Sequence, residues 1–279
     1  MNYELITSPQ NPKVKHLLLL MQKSSLRREE GLFVVEGRRE LTHCIQGGYE
    51  IDSVFTLSAD DYLMNIQMPL LATRSVVPAI YEVSEKVYEK IAYRGTTEGM
   101  VAVVRATPRT LESLTETPRK GETPLYVVLE SVEKPGNLGA ILRSADASGV
   151  DAVIVCDPLT DLYNPNLIRS SLGAAFTVPT VACSSEECIA FLKATGVSIL
   201  TAQLQDSSLY YDCDMTRPTA IVMGTESTGL TDVWRKAADA HIRIPMLGSL
   251  DSLNVSVSAA ILMYEAVRQR MEKQDSVTA

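Results

Sequence analysis

Between Leu125 and Ile244 the chain repeats one pattern, a short apolar run rich in β-branched residues followed by a stretch of helical spacing. The runs fall at Leu125 to Leu129, Ala152 to Val155, Val178 to Ala182, Val197 to Ala202, Ala220 to Met223 and His241 to Ile244, and each reads as a strand. Helices are expected at Leu138 to Ser148, Asn166 to Leu172, Glu186 to Ala194, Thr231 to Ala238 and Val255 to Arg270. Strands that are apolar almost throughout have no wet face. Their alternation with helices implies an α/β fold built on a parallel sheet covered on both sides. In such sheets ligands bind beyond the carboxyl ends of the strands, so the segments that follow the strands are where function is sought.

The N-terminal part has a different rhythm. Lys13 to Lys23 reads as a helix after the turn-forming Ser8 to Pro12. Leu32 to Val35, Ile51 to Leu57, Ala79 to Val83 and Met100 to Val104 read as strands, and Arg38 to Gln46 and the segment from Ser84 to Ile91 as helices. This predicts a small α/β domain over residues 1–105. Residues 106–123, rich in Thr, Pro, Glu and Lys without apolar periodicity, read as a linker, 124–271 as the parallel-sheet domain, and 272–279 as a frayed tail.

Composition removes several classes of function. The 46% hydrophobic and 22% charged content is that of a globular chain, and no apolar run approaches a membrane span. The N-terminus does not resemble a signal peptide, so a cytoplasmic location is expected, with no membrane partner. The 5 cysteines include no C-x-x-C pair and the 3 histidines are scattered, which predicts reduced, mostly buried thiols and no metal. The net charge of -8 is unevenly spread: residues 1–105 carry 12 basic and 13 acidic side chains, whereas 121–279 carry 11 and 19. Asn11 to Arg28 holds Lys13, Lys15, Lys23, Arg27 and Arg28 with no acid. That run is either a solvated helix face or an edge that contacts RNA.

Three stretches beyond strand ends carry chemistry. The first runs from Lys134 to Arg143. Asn137 is placed to cap the helix, and Gly139 lies one turn before Arg143, where its missing side chain leaves room for a group held by the guanidinium. A simple pairing of Arg143 with Asp146 is the alternative. The second, Met223 to Leu230, puts glycines on either side of Glu226 directly after a strand; it is neither G-x-G-x-x-G nor a phosphate loop, and suits close backbone approach to a flat ligand. The third, Ile244 to Ala260, passes from a strand through a Pro/Gly/Ser/Asp loop into a helix that Ser252 or Asn254 caps.

In this order N-L-G-A-I-L-R (Asn137 to Arg143), G-T-E-S-T-G-L (Gly224 to Leu230) and I-P-M-L-G-S-L-D-S-L-N-V-S (Ile244 to Ser256) resemble the three motifs of the SpoU (TrmH-like) branch of the SPOUT methyltransferases. N-P-K-V-K at Asn11 to Lys15, R-R-E-E-G-L-F-V-V-E-G at Arg27 to Gly37 and G-M-V-A-V-V at Gly99 to Val104 resemble that family's substrate-binding domain. The resemblance implies a 2'-O-ribose methyltransferase acting on structured RNA, ribosomal ahead of transfer RNA, with S-adenosylmethionine as cofactor and no DNA partner. It implies a deep trefoil knot in the C-terminal domain and a homodimer packed through it, with Arg143 of one chain facing the cofactor of the other.

By position, the cofactor contacts implied are Leu204, Gly224, Ile244, Met246 and Leu253. The catalytic set implied is Arg143 with Asn137, Glu226, Ser252 and Asn254, and RNA contacts are expected from Lys13, Lys15, Arg27 and Arg28. Arginine is protonated throughout the working range and is a poor base, so Arg143 is expected to anchor the ribose and stabilise a developing alkoxide. The competing expectation is an RNA-binding or ribosome-assembly factor that keeps this fold without its chemistry.

Overall fold

The computed structural model describes residues 3–64, 78–93, 98–115, 123–225 and 228–278. The chain divides into two compact units, Met1–Thr107 with Asp161–Thr177, and Pro108–Thr160 with Val178–Ala279.

In the first unit the strands β1 (Glu4–Ile6), β2 (Leu32–Glu36), β3 (Ile51–Thr56), β4 (Ala79–Val83) and β5 (Met100–Arg105) form a mixed sheet in the order β1-β4-β3-β5-β2. Strands β1, β4 and β3 run parallel, and β5 is antiparallel to both β3 and β2. Helices α1 (Pro12–Gln22), α2 (Ser24–Glu30), α3 (Arg38–Gln46), α4 (Ala59–Tyr62) and α5 (Glu85–Ile91) complete it. Asn11 caps α1, its side chain accepting from the Lys13 amide at 2.9 Å, with Pro12 preset for the first turn. Strand alternation divides the core: Val34, Val101 and Val103 face Val14, Leu17 and Leu20 of α1, while Phe33, Val35 and Ala102 face Leu41 and Cys44 of α3.

The second unit is a seven-stranded, all-parallel sheet ordered β10-β12-β9-β11-β6-β7-β8. Its chain runs β6 (Leu125–Glu130), α6 (Pro135–Ser148) and β7 (Ala152–Cys156). Two short helices of the other unit follow, α7 (Pro165–Ser171) and α8 (Ala174–Thr177). The second unit then resumes with β8 (Thr180–Cys183), α9 (Ser185–Ala194), β9 (Ser198–Ala202), β10 (Ser208–Leu209), β11 (Thr219–Met223), α10 (Asp232–Ala237), β12 (Ala240–Arg243) and α11 (Val255–Thr278). Every residue of β6, β7 and β11 is buried. Trp234 of α10 and Leu192 of α9 cover one face of the sheet, and α11 packs along α6.

Four expectations are corrected. Residues 161–177, read as part of the parallel-sheet domain, belong to the first unit: Phe33 stacks on Tyr163 with centroids 4.4 Å apart, and Ile168 and Phe176 join its core. An amphipathic helix shows which face it buries but not into which core. The first part of the expected linker is packed rather than free, with Arg109 bridged to Val181, Leu111 buried and the Leu114 carbonyl accepting from the Tyr126 hydroxyl. The expected tail continues α11 to Thr278.

Arg27 is the fourth. It is 4% exposed, with Nε 2.6 Å from Asp161 Oδ2 and Nη1 donating to the Leu20 and Met21 carbonyls. It therefore locks α1 and α2 to the returning segment and presents nothing to RNA. Arg27→Ala removes the ion-pair partner of the largely covered Asp161 carboxylate and the donor to two carbonyls, and is expected to destabilise the protein by about 3 kcal/mol. Arg28→Ala, at an exposed position, is expected to stay within about 0.5 kcal/mol. Urea denaturation of both variants checks this.

Candidate active site

Strands β12, β9 and β11 are neighbours in the sheet although β11 precedes β12 in the chain, so the path steps over β9. Such a reversal leaves a crevice where the loops diverge. A cleft of about 640 Å³ opens there, beyond the carboxyl ends of these strands. Leu204, Gly224, Ile244, Met246 and Leu253 all line it, together with Ser252 and Asn254. Three loops far apart in sequence thus meet in one hollow.

The loop after β11 is drawn in against itself. A Cβ added to Gly224 would lie 2.3 Å from both the carbonyl carbon and oxygen of Gly229 and 2.5 Å from the Leu230 nitrogen, all backbone atoms. The turn is closed by the Gly229 amide donating to the Thr225 carbonyl at 3.0 Å and by Gly229 at φ +69°. Leu230 anchors it in the core, and Thr231 donates from its amide (2.9 Å) and hydroxyl (2.6 Å) to Glu130 at the end of β6. Glu226, expected in the catalytic set, lies outside the described residues.

Asn254 caps α11: its Oδ1 accepts from the Ser256 amide at 2.9 Å and the Ser256 hydroxyl at 2.6 Å. Its Nδ2 donates to Asn137 Oδ1 at 3.2 Å, which ties the first motif to the third. Contrary to expectation, Asn137 does not cap its own helix, because α6 begins earlier, at Pro135, and Lys134 is its cap residue. Instead Asn137 lines a second hollow of about 130 Å³ that shares Gly224, Thr225 and Val255 with the larger cleft.

Arg143 is exposed, lines neither hollow and makes no hydrogen bond or ion pair among the described residues; the alternative pairing with Asp146 is not formed. In the first unit Lys13 is ion-paired with Glu4 and stands 4.2 Å from the Tyr81 ring centroid, while Lys15 and Arg28 are exposed. The Glu4 carboxylate raises the Lys13 pKa.

Sequence reasoning missed Gln203, Arg235 and Arg243, which also line the large cleft. Gln203 Oε1 is buried with no hydrogen-bond partner among the described residues, an acceptor left open in the cleft wall. Its place one residue beyond β9 was the only available signal. Leu204 and Leu253, 49% and 41% exposed, put apolar surface on the rim. A backbone cradle, an open acceptor and apolar rim residues fit a purine nucleoside with a polar tail.

A parallel sheet of this order, with three loops converging over β9, β11 and β12, is the fold of a SPOUT-class methyltransferase domain. The sequence profile of the SpoU rRNA Methylase family matches residues 124–264, and that of the MRM3-like substrate binding domain matches 11–102. The chain is 30% identical to the 23S rRNA (uridine(2479)-2'-O)-methyltransferase of Streptomyces viridochromogenes, over 98% of this chain and 95% of that one. It is 35% identical to the 23S rRNA (guanosine-2'-O-)-methyltransferase RlmB of Vibrio parahaemolyticus, over 73% and 84%. Among solved structures, the AdoMet-bound rRNA methyltransferase from Sinorhizobium meliloti superposes with TM-score 0.84 at 29% identity, covering 95% of this chain and 98% of that chain. The chain belongs to the SpoU rRNA methylase family.

Because the Gly224 contacts are with backbone that cannot swing aside, Gly224→Ala must displace the loop that walls both hollows. It is expected to weaken S-adenosylmethionine binding by about tenfold or more, against no change for Gly136→Ala, whose added methyl meets no atom within 4 Å. Isothermal titration of the three proteins checks this.

Proposed function

We propose that the chain is an S-adenosylmethionine-dependent methyltransferase that modifies a ribose 2'-hydroxyl in ribosomal RNA. The observation that carries this is the convergence of Leu204, Gly224, Ile244, Met246 and Leu253 on one cleft at the topological switch of the sheet. The S. viridochromogenes, V. parahaemolyticus and S. meliloti relatives, named as rRNA methyltransferases, support the substrate class. Leu204, Leu253 and the open acceptor Gln203 Oε1, with the backbone at Gly224 and Ile244, are the groups that would hold the cofactor.

When bound, the cofactor supplies an electrophilic methyl group on a sulfonium; the chain's task is to bring an oxygen in line and favour loss of its proton. Arg143 holds the ribose and stabilises the alkoxide charge that develops. Asn137 and Asn254, joined by their hydrogen bond, and Ser252 at the cleft edge orient it. Glu226 keeps the orienting role assigned by its motif.

Arg143 performs this in the cleft of a second copy. On α6 it lies six residues beyond Asn137, which is about 9 Å along the axis and about 120° around it, so it faces elsewhere than the hollow Asn137 lines. Among the described residues Arg143 has no partner and the cleft of its own chain lacks it, and the two complete one another in a homodimer packed through this domain. The β12-to-α11 return, which leads from beyond β9 back to α6, supports the knotted path expected of the family. The first unit holds structured RNA through Lys13, Lys15 and Arg28. No described helix is long and apolar enough to cross a membrane, and the protein works in the cytoplasm beside its ribosomal substrate.

Two measurements test this. With labelled S-adenosylmethionine and ribosomal RNA, Arg143→Ala is expected to bind the cofactor normally while methyl transfer falls at least about 100-fold; a normal rate rules out the role of Arg143, and a wild-type protein that binds cofactor without transferring methyl to any RNA leaves the non-catalytic reading. At S-adenosylmethionine concentrations too low to load the Gly224→Ala protein, co-expression of Arg143→Ala with Gly224→Ala is expected to restore about a quarter of wild-type activity, since half the dimers are mixed and each has one intact site. No restoration would sink the shared site.

A further inference from the structure

A cluster of sulfurs lies apart from the cleft. Cys156 ends β7, Cys183 ends β8 and Cys188 lies on α9; their Sγ atoms are all within 4.8 Å of one another, and none of the three residues lines either hollow. Among the described residues they form the single group of metal-ligating atoms so close together. The spacing in sequence, 27 residues and then C-x4-C, gives no familiar metal signature, which is why the sequence pointed to reduced thiols and no metal.

From this geometry we infer that Cys156, Cys183 and Cys188 form an all-sulfur site for one soft, thiophilic metal ion of the zinc, cadmium or copper(I) class. Three sulfurs around one ion at a metal–sulfur distance of about 2.3 Å stand about 4.0 Å apart in a trigonal arrangement, so the sulfurs need close by less than about 1 Å. An all-thiolate set selects soft ions over magnesium, calcium or manganese.

The scaffold around the sulfurs is fixed before any ion arrives. Cys156 and Cys183 are register partners on adjacent parallel strands, and the Asp157 amide donates to the Cys183 carbonyl at 2.9 Å. Beside them, buried Trp234 donates from Nε1 to Ser185 Oγ at 2.9 Å, and the Ser185 hydroxyl donates to Asp157 Oδ2 at 2.6 Å. This chain holds the start of α9, and with it Cys188, against the loop that follows Cys156. Outer hydrogen bonds of this kind are what orient metal ligands.

Cys156 and Cys188 are buried, whereas Cys183 is partly exposed and gives an ion its entry path. Binding requires the thiolate forms and releases the thiol protons to solvent. A bound ion would staple β8, the edge strand of the sheet, and α9 to β7.

The test is a titration of the reduced full-length protein with cadmium(II), read by sulfur-to-metal charge-transfer absorption and by X-ray absorption. One equivalent with three sulfur ligands is expected, with affinity lowered about 100-fold or more in Cys183→Ala and unchanged in Cys213→Ser. Far-ultraviolet circular dichroism confirms folding, and Cys183→Ser, isosteric at a partly exposed position, serves if the alanine protein is unfolded. No stoichiometric binding, a Cys183 variant that titrates like wild type, or a disulfide among the three thiols as the resting form in reduced glutathione would overturn the assignment.

Discussion

Burial on both faces of the parallel sheet is the constraint from which the rest of the molecule follows. With every residue of β6, β7 and β11 out of solvent, no position along these strands can present a polar group to a ligand without stranding it in the core. Polar chemistry is displaced to the strand ends, and there the order of the strands decides which end. Where β11 and β12 flank β9, the connections lead away in opposite directions and the edge opens into a cleft. The same burial makes the sheet a rigid base, since shifting any of these strands exposes apolar surface worth about 25 cal/mol per Å².

Loops on such an edge need bonds of their own to hold a shape. Here they come from side chains that reach across motifs: Asn254 to Asn137 joins the third motif to the first, on α6, and Glu130 to Thr231 joins the second to the end of β6. Glu130 is buried, and a buried carboxylate that lost Thr231 would be destabilising, so this bond locks the loop more firmly than an exposed one of equal length. Gly224 adds a contact that no other residue type can make. The backbone of residues 229 and 230 occupies the volume where a side chain would stand, and the loop is thereby thin enough to wall two hollows at once.

Much of this was legible in the residues. The strand positions follow from runs of Val, Ile and Leu that fit no helical period, and Ala79–Val83 and Arg38–Gln46 were placed to the residue. The five residues expected from the motifs to touch the cofactor all line the cleft, and of them Gly224 and Ile244 directly follow β11 and β12, which is a local feature. What was hidden is what depends on partners distant in the chain. Asn137 has the composition of a cap, but Pro135 starts the helix sooner and frees the side chain for Asn254. Arg27 sits in a basic run that reads as a surface edge, and only Asp161, 134 residues on, turns it into a buried clamp. The short stretches β1 and α2 have too few residues for periodicity to declare itself, and the three thiols converge through the register of β7 on β8.

The carboxyl edge also concentrates backbone that is costly for ordinary residues. Ser131 directly follows β6 at φ 52°, Asp157 directly follows β7 at φ 48°, and Asp206 lies in the loop after β9 at φ 50°. Each left-handed residue other than glycine costs on the order of 1 kcal/mol, and such costs persist only where surrounding contacts over-determine the conformation. The contacts are visible at the first two: the Ser131 amide donates to the Cys156 carbonyl and the Asp157 amide to the Cys183 carbonyl, each at 2.9 Å, extending the ladder by one residue before the chain turns. That abrupt turn keeps the loop from continuing outward as strand and brings it over the neighbouring strand instead. Strain at the edge is therefore the means by which the sheet gathers groups from separate strands, the carbonyls and amides of the cleft on one flank and the sulfurs of β7, β8 and α9 on the other.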